Sequence, residues 1–403
     1  MVREYIFVLL TLLFVLSGCG EKPSDVIELK DKNETSKSTS PETNSTDSNK
    51  KNDIGWNLTG IYELNDFFRD IRELDNQTDE IFARLNDSQK VGQMIVTAVG
   101  VYGKPESVVG ELISKNRIGG VLLLKGTKAE FEKYVKNFKN KAAESNSLPL
   151  IFSADAEPSL INIKISGIKK LEPTNTFKDV KESGQSAIQI SGILREIGIN
   201  QNYAPVCDLS NNTEIIGNRS YGSNIDKVIK LAGEFISETQ KANIIATAKH
   251  FPGHGNVKGD SHKDLVFING DMKELKVFEE IIKKDVISVM VGHIAIRNNA
   301  EYDTDGMPST LSRNIVTDLL KGKMRFRGLV VTDAMNMNGV NKFQSPSLNA
   351  IKAGCDMVIM PTDEVKLINS VIAEMQSNEA FKKQIYDSVR KIIRAKICLG
   401  LFI

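Results

Sequence analysis

Eight short apolar runs alternate along this chain with longer amphipathic stretches, and that alternation narrows the folds open to it. The runs are Val91–Val99, Gly120–Leu124, Leu150–Ala154, Asn202–Val206, Ile244–Ala248, Ile287–Val291, Leu329–Thr332 and Met357–Met360. The stretches that follow most of them are Lys128–Glu144, Ser186–Ile197, Asp226–Gln240, Met272–Lys284, Ser312–Lys321 and Asp363–Met375. Short apolar runs suit strands buried on both faces, whereas apolar residues three and four apart mark a helix with one buried side. A closing helix, Ala380–Cys398, places Ile385, Val389, Ile392 and Ile393 on one face. Repeated β-then-α units imply a parallel sheet. The sheet is either open and doubly wound or closed as a barrel. No Gly-rich dinucleotide fingerprint follows the first run, so the expected fold class is α/β, a (β/α)8 TIM-type barrel over residues 56–403.

The N-terminus reads differently. Arg3 precedes an apolar stretch, Ile6 to Leu16, broken by Thr11. That is too short for a membrane-spanning helix, which needs about 20 residues, and fits a signal-peptide core. It ends in Leu16-Ser17-Gly18-Cys19, similar to a bacterial lipoprotein processing box. Residues 1–18 are therefore expected to be a lipoprotein signal peptide, with Cys19 the lipidated terminus anchoring the protein to a membrane of the cell envelope, outside the cytoplasm. Residues 19–55 are rich in Ser, Thr, Asn, Lys and Glu with almost no apolar residues. Such a segment buries too little surface to offset its ordering entropy, and is expected to be a disordered tether reaching about 30 Å. The remaining cysteines, Cys207, Cys355 and Cys398, read as small buried residues with no disulfide between them. A net charge of +1 and the lack of a basic run with interleaved aromatics argue against nucleic acid as a partner.

A barrel places its chemistry at the carboxyl ends of its strands. Asp155 and Glu157 follow the third run, Asp208 the fourth, Lys249 and His250 the fifth, His293 the sixth, Asp333 the seventh and Asp363 the eighth. Asp after a strand often caps the next helix, and Asp363 is assigned that role. The four histidines are His250, His254, His262 and His293, three of them in the segment KHFPGHGNVKGDSH. His250 and His254 have the spacing of a helical zinc motif, but Pro252 and Gly253 between them break the helix it requires, so no metal is expected. Asp260 and His262 have the spacing of an acid–base pair: a carboxylate on one ring nitrogen fixes the tautomer and leaves the other for proton transfer. Ser261 lacks a nucleophile elbow, although a Ser–His–Asp hydrolase remains formally open.

Those residues carry a resemblance. The run Lys249–Gly255 followed by Asp260-Ser261-His262 resembles the central signature of glycoside hydrolase family 3, in its β-N-acetylglucosaminidase branch. GLVVTDAMNM resembles the family's nucleophile strand, and NYAPVCDL, IIGNRSYG, MVGHIAI, PSTLSRNIV and AGCDMVIMP resemble other family blocks in the family's order, over about residues 80–365. The resemblance implies Asp333 as nucleophile, His262 as acid/base oriented by Asp260, and Asp155, Arg219, Lys249 and His250 as sugar-binding residues. It also implies exo-acting, retaining hydrolysis of terminal β-linked N-acetylglucosamine, without a cofactor. With an envelope anchor, the expected carbohydrate is an amino-sugar glycan such as peptidoglycan fragments. One segment departs from the pattern: DAEPSLINIK has Pro158-Ser159 where the family has Gly-Gly, and Ile163, beside Lys164, where it has arginine. That departure leaves two other readings open, a family 3 β-glycosidase of other sugar specificity and a silent glycan-binding lipoprotein.

Overall fold

The computed structural model describes residues 58, 60–209, 216–255, 257 and 264–402. Signal peptide, Cys19, tether, Asp260, Ser261 and His262 lie outside the described residues.

The barrel strands, numbered in chain order, are β1 Ile95–Gly100, β2 Gly120–Thr127, β3 Ile151–Ala154, β4 Gln201–Asn202, β5 Ile245–Phe251, β6 Ser288–Val291, β7 Leu329–Thr332 and β8 Val358–Ile359. From β1 to β7 each strand pairs in parallel with the next, as in Val121↔Phe152 between β2 and β3 and Val330↔Val289 between β7 and β6. The ring closes where β1 pairs β8 through Ile95↔Val358, and where Val331 of β7 bridges Met357. Burial of nearly every strand residue explains why these segments read as apolar runs rather than alternating ones. The expected barrel is present.

The boundaries moved for local reasons. Val91–Gln93 belongs to helix Asp87–Gln93, not to the first strand. Asn86 starts that helix with a reciprocal cap, accepting from the Gln89 amide at 2.9 Å while its own amide donates to Gln89 Oε1 at 3.0 Å. The fourth strand is shorter than the apolar run suggests, because Pro205 has no N–H for the ladder; Val206 makes a single bridge to Lys249. Helix Lys128–Glu144 matches its expected span, and the closing helix runs Glu379–Cys398. Asp363 caps Glu364–Ser377 by accepting from the Lys366 amide at 2.9 Å. Cys207, Cys355 and Cys398 are buried free thiols.

Two additions shape the mouth. Ile165–Ser166 pairs with the end of β2 and pins the segment after β3. Val266–Asn269 pairs in parallel with Ile294–Arg297, which directly follows His293.

Candidate active site

The carboxyl ends of β3 and β5 meet in a buried charge cluster. Lys249 Nζ lies 2.6 Å from Asp155 Oδ1 and 2.9 Å from Glu157 Oε1. Arg219 donates to both oxygens of Glu157, Nε at 2.9 Å and an Nη at 2.8 Å, the forked geometry that suits guanidinium and carboxylate. Burial alone raises the Asp155 carboxyl, but the charges of Lys249 and Lys164 outweigh it and hold the group well below the usual carboxylate range. Burial likewise opposes ionisation of Glu157, and Arg219 and Lys249 reverse the balance. Lys249 and Glu157 are almost wholly enclosed, whereas a quarter of the Asp155 side chain faces the mouth. The exposed carboxylate, fixed and ionised, is a preformed acceptor for hydroxyl groups.

The segment that departs from the family pattern is still built into this cluster. Ser159 Oγ donates to the Asn218 carbonyl at 2.7 Å, tying the β3 loop to the residue before Arg219. Ile163 points outward, 62% exposed, while Lys164 turns inward to bring Nζ within 4.0 Å of Asp155 Oδ2.

A second carboxylate organises the histidines. Asp208 is fully buried and accepts from His250 Nδ1 at 2.7 Å, from the His250 amide at 3.2 Å and from the His254 amide at 2.7 Å. Burial opposes its charge, yet His250 and His254 keep its carboxyl below the usual range. The bond to Nδ1 fixes a proton there and leaves His250 Nε2 for the mouth. Burial and the neighbouring His250 push His254 down to about 4, so it is neutral near pH 7. Thus His250 and His254 converge on Asp208, and among the described residues no group of three or more His, Cys, Asp or Glu side chains is arranged to hold a metal ion. The glycines of the motif are required by contact: a Cβ on Gly255 would lie 1.8 Å from the Leu209 carbonyl oxygen, and Gly253 has φ +135°.

Asp333 follows β7, half-buried, with its amide donating to the Val291 carbonyl at 3.0 Å and Oδ1 accepting from the Ala334 amide at 2.8 Å. Val291 pairs in turn with Phe251, the residue after His250, which puts Asp333 at the same end of the barrel as the histidines. Asp155, Arg219, Lys249, His250 and Asp333 therefore share one end of the barrel. Glu157, Asp208 and Lys164 join them. The sequence marked Glu157 and Asp208 only as acids at strand ends, since their partners lie 92 and 42 residues away along the chain.

Fold and mouth together define a barrel with an ionised charge cluster at the end of β3 and a carboxylate at the end of the opposite strand, β7. Residues 87–395 match the model of the glycosyl hydrolase family 3 N-terminal domain, and the chain belongs to that family of glycoside hydrolases. A β-hexosaminidase of Actinobacillus succinogenes is 27% identical over 293 residues, covering 67% of this chain and 81% of its own length. A family 3 β-N-acetylglucosaminidase from a Paenibacillus species superposes with a TM-score of 0.71 at 30% identity, covering 79% of this chain; the chain spans 63% of that enzyme. A β-N-acetylhexosaminidase from Beutenbergia cavernae gives 0.69 at 25% identity, covering 78% of this chain and 99% of its own.

Proposed function

We propose that this chain removes terminal β-linked N-acetylglucosamine from amino-sugar glycans, with retention of configuration. The observation that carries this reading is the placement of Asp333 at the end of β7, the strand opposite the one that ends at Asp155, in a chain similar to β-hexosaminidases. Asp155 and Lys249 hold outer hydroxyls of the sugar, and His250 offers Nε2 to the ring. Asp333 attacks the anomeric carbon as the bond to the leaving oxygen breaks, and His262, held by Asp260, gives that oxygen its proton. An ester between Asp333 and the sugar results. Neutral His262 then takes a proton from water, which attacks the anomeric carbon and frees Asp333. The usual retaining arrangement has two carboxyl groups about 5–5.5 Å apart; here an imidazole replaces one of them. An imidazole can both give and take a proton near neutrality, as the two transfers require.

A lipid on Cys19 puts the enzyme at the cell envelope, within reach of peptidoglycan fragments, which we take as the natural glycan. The deciding experiment is nitrophenol release from the β-N-acetylglucosaminide by the protein, Asp333→Ala and His262→Ala. Turnover that collapses in both variants supports the two roles. A folded parent inactive on this and on related β-glycosides sinks the reading and favours a glycan-binding protein.

A further inference from the structure

In a ring of eight sequentially ordered strands, β3 and β7 lie opposite each other. A sugar whose outer hydroxyls sit on Asp155, after β3, and whose anomeric carbon meets Asp333, after β7, spans the mouth. Its leaving group then points outward past β7. A cleft of about 320 Å³ lies there, between the segments following β1, β7 and β8. Its walls include Tyr102 and Lys104 after β1, Asn336 three residues beyond Asp333, and Met360 and Thr362 after β8. The Met335 amide donates to the Ile359 carbonyl at 2.9 Å, stitching the turn that carries Asp333 to the wall of this cleft.

The cleft presents a ring to solvent on a backbone-fixed turn. Tyr102 is 68% exposed at the tip of a turn closed by the Gly103 amide on the Gly100 carbonyl at 3.0 Å and the Lys104 amide on Ala98 at 2.8 Å. Gly100 has φ +109°, and a Cβ there would lie 2.5 Å from the Lys125 carbonyl oxygen, so only glycine lets the turn press against β2. The Lys125 ammonium sits 5.5 Å from the centre of the Tyr102 ring. Lys104 is fixed by Glu364 at 3.2 Å, and Glu364 accepts from Thr97 Oγ1 at 2.7 Å. An aromatic ring on a backbone-fixed turn, beside amide, hydroxyl and ammonium groups, matches a pyranose, which has apolar C–H faces and a polar rim. The volume, at the low end of the roughly 300–1,000 Å³ of ligand pockets, suits one sugar residue.

We propose that this cleft is the subsite for the leaving-group saccharide, with Tyr102 under its ring and Asn336 at its polar edge. The proposal rests on the reading of the site given above. Its test compares two donors in the full-length chain: the disaccharide N,N′-diacetylchitobiose, whose leaving sugar reaches the cleft, and β-N-acetylglucosaminyl fluoride, whose leaving atom does not. The quantity read is the ratio of kcat/KM for disaccharide over fluoride, which cancels changes shared by both reactions. Tyr102→Ala is expected to lower it about tenfold, the scale of one aromatic contact, and Asn336→Ala about threefold. Tyr102→Phe keeps the ring and the ratio. Both positions are exposed, so the fold tolerates the changes. A ratio that stays within about twofold of wild type in both alanine variants, with both donors turned over, overturns this proposal alone. A wild-type chain that cleaves neither donor overturns the underlying reading and this proposal with it.

Discussion

His293 donates through Nε2 to the Ala334 carbonyl, 3.0 Å away. Ala334 in turn gives its amide to Asp333 Oδ1 at 2.8 Å, and Thr310 Oγ1 holds the far side of the imidazole at 2.9 Å from Nδ1. A buried histidine at the end of β6 thus sets the turn that aims the proposed nucleophile. His293→Ala is expected to lower kcat by about 10- to 100-fold with KM little changed, since small errors in the position of a reacting group cost rates of that order. Thr310→Val, gentler on folding, should give a smaller loss of the same kind. Steady-state kinetics beside a thermal melt decide it; equal losses in kcat and in stability alone would leave His293 only a packing role.

Lys164 stands one residue beyond the position where the sequence resemblance implies arginine, and its ammonium lies 4.0 Å from Asp155 Oδ2. Its side chain is 24% exposed, so the pair is screened and its effect modest. Lys164→Ala should raise KM for the N-acetylglucosaminide about threefold and Lys164→Arg restore it, worth about 0.6 kcal/mol. Ile163→Ala, on the outward side, should leave KM where it was. The reverse order of effects would show that Lys164 has no part in the pocket.

Removing Lys249 leaves two carboxylates buried beside each other. Lys249→Met is expected to cost about 3 kcal/mol of stability in urea denaturation, the scale of breaking a buried ion pair from one side. The pH dependence follows from the depressed carboxyl groups of Asp155 and Glu157, both held down in part by Lys249. A carboxyl lowered on folding stabilises above its unfolded value, near 4, and loses that contribution as acid protonates it. In Lys249→Met the acid transition should move to higher pH; an unmoved acid transition would show that Lys249 does not hold the carboxyl groups down.

Lys396, on the closing helix, is fully buried with Nζ 2.6 Å from Gln93 Oε1 at the opposite end of the barrel from the mouth. Burial pushes its ammonium down to about 7. A lysine lowered on folding binds fewer protons in the native state, so its penalty is full at and below about pH 7 and fades as pH rises toward the unfolded value near 10.4. Lys396→Met should therefore raise stability by about 1–3 kcal/mol at pH 6, and by less at pH 10. Melts at the two pH values check this; a gain that grows with pH would contradict it.

The carbohydrate site was half legible in the chain. KHFPGHG and GLVVTDAMNM named Lys249, His250 and Asp333 through their place at strand ends and their resemblance to the family's signature, and the structure adds that Gly255 is forced by close contact with Leu209. Asp208 and Glu157 were visible only as strand-end acids. Their function depends on partners brought together by barrel closure, which local pattern does not encode. Lys164 had the least signal, since one residue of offset on a short helical turn, Ile161–Lys164, decides whether a side chain faces the pocket or the solvent. The first strand was placed too early, because Val91 is as apolar in a capped helix as in a strand.

By itself the sequence determined the repeating β/α order, the parallel sheet and the residues at the strand ends, because burial on both strand faces and one helix face leaves a period that can be read directly. The tertiary structure alone decided that β1 meets β8 and that β3 faces β7. It also decided that Asp155 and Asp333, 178 positions apart along the chain, look into one mouth. Ring closure is a long-range event. Its register is set by which strand hydrogen bonds remain unpaired at the two edges, and a chain read one segment at a time carries no record of that.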